Sequence, residues 1–140
     1  MIAGKWYDPY TDQIFTDPSD LDIDHLVPLA EAFRSERTPW SDRQRMLFAN
    51  DMDLDVALIA VSKSANRSKR DKDPANWLPP NVAYHCEYAK AWIAVKRKWD
   101  LKADEDEAEA LRRVLGQCPK NAPAPDDTRA EERENAPSDG

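Results

Sequence analysis

"VALIAVSKSANRSKRD" (56–71) begins as an apolar, β-prone run through Val61 and Ser62, then turns polar and helix-compatible from Lys63 onward with no turn residue between. A continuous apolar run of this length, rich in Val and Ile and bounded by polar residues, reads as a buried strand. The abrupt change of period places a helix directly on its end. A strand that runs straight into a helix needs a second strand to pair with, and the nearest one lies upstream in "DIDHLVP" (22–28), which Pro28 stops.

Between these two strands lie residues with helical spacing. "LAEAFRSE" (29–36) is one such segment, and "WSDRQRMLFAND" (40–51) is another, with Ser41 as its N-cap and Met46, Leu47 and Phe48 supplying apolar contact. The order is therefore strand, inserted helices, strand, helix. Ahead of it, "GKWYDPYTDQIFT" (4–16) reads as a β-hairpin around a Pro-Tyr-Thr-Asp turn, with Trp6, Tyr7 and Phe15 directed to the core. Behind it, "DPANWLPPN" (73–81) is a connection anchored by Trp77 and Leu78. A core-packing helix follows over 84–99 on the stripe Tyr88, Trp92, Val95, Trp99. The last helix opens at Asp104 with Glu107 in capping-box spacing, and carries its acids early and Arg112 and Arg113 late, as the helix dipole favours.

The chain has 140 residues with three glycines, enough for one domain with a modest core. No run approaches the roughly 18 apolar residues of a spanning helix, so no membrane role is read. The formal charge of −7 is unevenly spread: residues 103–140 hold eleven acids and five bases. By contrast, "KSANRSKRDK" (63–72) places five bases in ten residues. Taken alone this cluster is a solvated helix face or a phosphate-contacting patch, and whole-chain acidity does not exclude the second. After Cys118 the chain is acidic and proline-containing with little apolar periodicity, so 119–140 reads as a disordered tail behind a domain at 1–118. Cys86 and Cys118 are too few for a four-ligand zinc site. Both fall near apolar helix faces, where a bond between them and two buried thiols are equally compatible.

In "DIDH" alternate side chains share a face, so Asp22 and Asp24 point one way while Ile23 and His25 point the other. "DIDHLVPL", "FAND", "LIAVSKSANRSKRDKDP" and "NWLPP", in this order and followed by "CEYAKAWIAVKRKW", resemble the HNH endonucleases of the His-Me finger (ββα-metal) superfamily. The nearer likeness is to the branch similar to the C-terminal domain of GmrSD-type restriction enzymes, and it covers about 4–118. The resemblance implies an α+β fold, with a ββα-metal core, an N-terminal β-hairpin and additional packing helices.

It further implies His25 as general base, with Asp24 and Asn66 as the protein ligands of a divalent metal. Two oxygen donors with open water positions suit Mg²⁺ or Mn²⁺. Lys63, Arg67, Lys69 and Arg70 then contact the nucleic-acid backbone, DNA or RNA, and the products carry 5′-phosphate and 3′-hydroxyl ends. Asp22 is either a supporting group behind the ligands or a strand-start solubiliser. Asn50 either braces the loop between the strands or caps its helix.

The chain departs from the family pattern at two positions: Ala57 stands where the middle asparagine of HNH aligns, and Arg70 where relatives of the branch often have glycine. Relatives are often exported, but the compartment of this chain and its protein partners are left open. A catalytically silent HNH-fold nucleic-acid-binding module is the alternative to a nuclease, and an acidic interaction protein is a third reading.

Overall fold

A computed structural model describes residues 4–54 and 57–119. The fold is α+β. Strands β1 (Trp6–Asp8) and β2 (Gln13–Phe15) form one antiparallel pair; β3 (Leu21–His25) and β4 (Leu58–Ser62) form the other. Helices α1 (Leu29–Arg34) and α2 (Asp42–Ala49) are inserted between β3 and β4. Helix α3 (Lys63–Lys69) leaves β4 without an intervening residue, and α4 (His85–Lys98) and α5 (Glu105–Gly116) follow. The register of the second pair runs from Leu21 opposite Ser62 to His25 opposite Leu58. Strand, inserted helices, strand, helix is thus the observed order. Among the described residues no helix is long and apolar enough to cross a membrane.

The local chemistry accounts for these elements. Ser41 caps α2 in a full capping box, its Oγ accepting from the Gln44 amide while the Gln44 side chain accepts from the Ser41 amide. Ser62 does the same work for α3, accepting from the Ala65 amide at 3.2 Å, so one residue ends the strand and starts the helix. Asp104 caps α5 by accepting from the Glu107 amide, but the Glu107 side chain turns inward instead of closing the box.

The core has two aromatic groups held on α4. Tyr10, Trp77, Tyr84, Tyr88 and Trp92 stack edge-to-face or tilted at one end. Phe33, Trp40, Phe48 and Trp99 do so at the other. The predicted anchors Trp77 and Leu78 pack against this core. Cys86 and Cys118 form a disulfide that joins the start of α4 to the residues behind α5.

Two expectations are corrected. Trp6, Tyr7 and Phe15 are not core residues: Tyr7 is exposed and the other two are half-buried, whereas Tyr10, in the turn, is fully buried. A hairpin of two three-residue strands has little face to cover, and it docks by its turn. On α2, Phe48 alone of the three apolar residues is buried, while Met46 and Leu47 are exposed, because eight residues seat only a narrow stripe. Of the tail predicted at 119–140, residues 120–140 lie outside the described residues.

Candidate active site

The second strand pair and α3 converge on β3, whose polarity is inverted. Ile23 is 67% exposed while Asp24, one position on, is 5% exposed. Apolar out and acid in is the reverse of what burial energetics favours, so partners must compensate it.

Helix α3 supplies them. Its Asn66 meets Asp22 and its Lys69, one turn later, meets Asp24, so neighbours on one helix face meet neighbours on one strand face. Asn66 Nδ2 donates to Asp22 Oδ2 at 3.0 Å. With its amide nitrogen committed, Asn66 keeps Oδ1 as an acceptor. Lys69 Nζ donates to Asp24 Oδ2 at 2.6 Å, to the His25 carbonyl at 2.8 Å and to the Leu26 carbonyl at 2.8 Å. Those three bonds use all three ammonium protons. Burial pulls the Lys69 ammonium below the usual lysine range, and the attraction of Asp24 opposes this. Tyr10 Oη donates to the same Asp24 oxygen at 2.6 Å. Its phenol is pushed well above the usual range by burial, then by Tyr88 and Asp24, so it stays a donor at any ordinary pH.

His25, at the end of β3, projects from the other side of the strand and is half-buried. Its Nε2–H donates to the Ala49 carbonyl at 2.8 Å. Ala49 is the last residue of α2, whose final carbonyls have no partner within the helix. A carbonyl can only accept, so the neutral ring carries its proton on Nε2 and presents the Nδ1 lone pair.

The remaining predicted residues fall in three places. Arg67 and Arg70 are exposed and Lys63 is half-buried, which leaves them able to meet a phosphate backbone. Lys69 is not on that surface. It is 0% exposed, one turn from Ala65 on the inward face of α3, and its protons are already taken. Asn50 caps α2 and turns its Nδ2 back onto the Met46 carbonyl of its own helix. Arg70 adopts φ +51°, a backbone conformation that glycine tolerates and other residues resist.

Sequence reasoning did not pick out Tyr10 or Asp8. Asp8 Oδ2 accepts from the Ser62 amide at the start of α3, and Asp8 Oδ1 accepts from the Tyr10 amide. The Tyr10–Asp24 and Asp8–Ser62 contacts leave no periodic signal, since their partners lie 14 and 54 residues apart. Lys69 left one: spacing of four from Ala65 puts both on one helix face.

The donor set beside β3 fits a hard divalent cation, with carboxylate oxygen from Asp24 and amide oxygen from Asn66. Both bonds to Asp24 fall on Oδ2, so Oδ1 takes part in neither. A different acidic group, Glu31, Asp73 and Glu107, is buried between helices, and the Lys96 ammonium already sits on two of its members at 2.7 Å.

A model of the family described as GmrSD restriction endonucleases, C-terminal domain, matches residues 1–114. An uncharacterized secreted protein of Arthroderma benhamiae is 41% identical over 116 residues. That alignment covers 83% of this chain and 56% of the fungal protein, so the chain spans little more than half the length of that relative. No solved structure matches.

Proposed function

Because the chain belongs to the family of GmrSD restriction endonuclease C-terminal domains, we propose that it is a metal-dependent HNH endonuclease that hydrolyses phosphodiester bonds of DNA. One observation carries the reading: His25 spends its Nε2–H on the end of α2, and its Nδ1 has no partner among the described residues. A neutral imidazole with an open ring nitrogen is suited to take a proton from water.

In this reading Nδ1 of His25 removes a proton from the attacking water. Asp24 and Asn66 offer oxygen atoms to Mg²⁺ or Mn²⁺, and Asp22 keeps the Asn66 amide turned with its oxygen outward. The ion, when bound, polarises the phosphate and stabilises the departing 3′ oxygen. Arg67 and Arg70, with Lys63, hold the backbone without reading bases. The products carry 5′-phosphate and 3′-hydroxyl ends. The disulfide and the secreted relative support work in an oxidising compartment.

A silent nucleic-acid-binding module is the second reading, and the observation in its favour is the Lys69 ammonium on Asp24, which already compensates the carboxylate. Supercoiled plasmid incubated with Mg²⁺ or Mn²⁺, with and without EDTA, separates the two. Nicking that EDTA abolishes is expected. Binding without nicking under either ion from pH 6 to 9 would leave the silent module standing.

A further inference from the structure

We propose that Tyr10 and Lys69 are positioning residues that clamp Asp24, and that the N-terminal hairpin is thereby part of the catalytic unit. The inference rests on the nuclease reading above and adds to it Tyr10, which lies outside the motif stretches, and a positioning role for Lys69.

Both donors are fully buried and both reach the same oxygen, Asp24 Oδ2, at 2.6 Å. Two bonds to one oxygen from separate elements fix the rotation of the carboxylate and assign its other oxygen, Oδ1, to the ligand role. Lys69 does more than pair with a charge. Its remaining protons bind the His25 and Leu26 carbonyls, so one ammonium links the side chain of Asp24 to the backbone on both sides of the peptide bond after His25.

The hairpin reaches the other half of the site as well. From the residues around its turn, Tyr10 bonds the strand that carries Asp24, while Asp8 accepts from the Ser62 amide at the start of the helix that carries Asn66. Thr11 Oγ1 and the Tyr10 amide hold Asp8 in place. Stability alone would not select these groups. A phenylalanine and a methionine would fill the same volume without desolvating a phenol and an ammonium. A buried phenol and ammonium on one carboxylate oxygen make sense where that carboxylate has to be held in a single orientation.

Tyr10→Phe is the test, because the ring keeps its contacts to Trp77 and Tyr88 and loses only the hydroxyl. The Mn²⁺ needed for half-maximal nicking should rise about tenfold, as expected for one lost bond to a charged group. Excess Mn²⁺ should restore kcat, and DNA affinity in EDTA should not change. Calorimetric titration of Mn²⁺ reads the same shift without cleavage. Lys69→Met, checked for folding by its melting transition, removes a positive charge that repels the ion as well as a bond that orients the ligand; Mn²⁺ affinity should fall despite the lost repulsion, and a rise would overturn the Lys69 half of the clamp.

A Tyr10→Phe enzyme that melts earlier but has wild-type metal dependence and kcat would overturn the clamp. Wild-type protein that binds Mn²⁺ and cuts nothing would sink the nuclease reading while the titrations still decide the clamp. Wild-type protein that binds no Mn²⁺ would overturn both.

Discussion

Among the described residues two lysines are buried, and their surroundings differ. Lys69 has one carboxylate and two backbone carbonyls, all from β3 or the residue after it. Lys96 sits between helices, with Glu31 of α1 and Glu107 of α5 at 2.7 Å, Ser35 Oγ at 3.3 Å and the Lys102 carbonyl at 2.8 Å. Asp73 adds a third carboxylate to that group. Desolvation opposes both ammonium groups, yet they serve different ends. Lys69 is matched one-to-one and orients a site; Lys96 is outnumbered by acids and joins elements. Burial of a charge therefore says little about its role until its partners are counted by element.

The acid excess around Lys96 has a measurable trace. Burial raises the Glu107 carboxyl above its usual range although Lys96 and Trp92 pull it down, and burial also raises Asp73. Glu107 Oε1 has no hydrogen-bond partner among the described residues.

The largest effect expected on this comparison is from Lys96→Met. Two buried carboxylates would lose their counter-charge, and such losses cost about 3–5 kcal/mol. Urea unfolding should show it, while the folded fraction keeps wild-type metal dependence. A metal dependence that moved with Lys96 would erase the distinction between the two lysines.

Reduction of the Cys86–Cys118 bond should come next. It closes a loop with a sequence separation of 32, and loss of such a cross-link costs about 3–4 kcal/mol on the chain-entropy account. The fall should appear in the melting temperature of Cys86→Ser/Cys118→Ser. It should leave the Mn²⁺ requirement of the folded protein unchanged, since the bonds that hold Asp22, Asp24 and Asn66 come from Tyr10 and α3 and not from α4 or α5.

A smaller effect concerns pH. Raised folded-state values mean that Glu107 and Asp73 stabilise the fold when protonated. That contribution is complete in acid and is lost as pH climbs through their raised values, with a slope per group of at most about 1.4 kcal/mol per pH unit. Asp51 runs the other way: although burial opposes it, Lys98, the Asp53 amide and Trp99 hold its carboxyl low, so its contribution is lost only in strong acid. Glu107→Gln should flatten the decline above mildly acidic pH. An unchanged slope would remove Glu107 from the account.

The smallest is Arg70→Gly. Relief of a positive φ should raise stability by about 1 kcal/mol, the general cost of a left-handed residue being about 1–2 kcal/mol less what glycine loses in chain entropy. If Arg70 contacts phosphate, the same change should weaken DNA binding equally on all sequences and reduce the salt slope by about one.

Much of the fold was legible because local rules and packing agree. Ser41 with Gln44, the Tyr88–Trp92–Val95 stripe and the strand that becomes a helix at Ser62 each follow from short-range patterns. In the site, Asn66 and the Asp22–Asp24 face were legible from the motif and the strand period. Tyr10 was not, since a turn tyrosine has no period and its partner is set only when the hairpin docks. Lys69 was misread because a lysine in a basic run suggests solvent, whereas its helix face points inward. The disulfide was left open by spacing alone, as two cysteines on helix faces meet only if the helices pack side by side.

The central claim is that His25 moves a proton and Asp24 with Asn66 hold the ion. It is tested most directly by His25→Ala, with nicking rates and calorimetric Mn²⁺ titration measured on the same preparation. The account predicts a loss of about 10² to 10⁴ in turnover, the usual worth of a positioned general base, with Mn²⁺ affinity retained. If His25→Ala lost Mn²⁺ as completely as Asp24→Ala does, the histidine would be a ligand and the assignment of the base would be wrong.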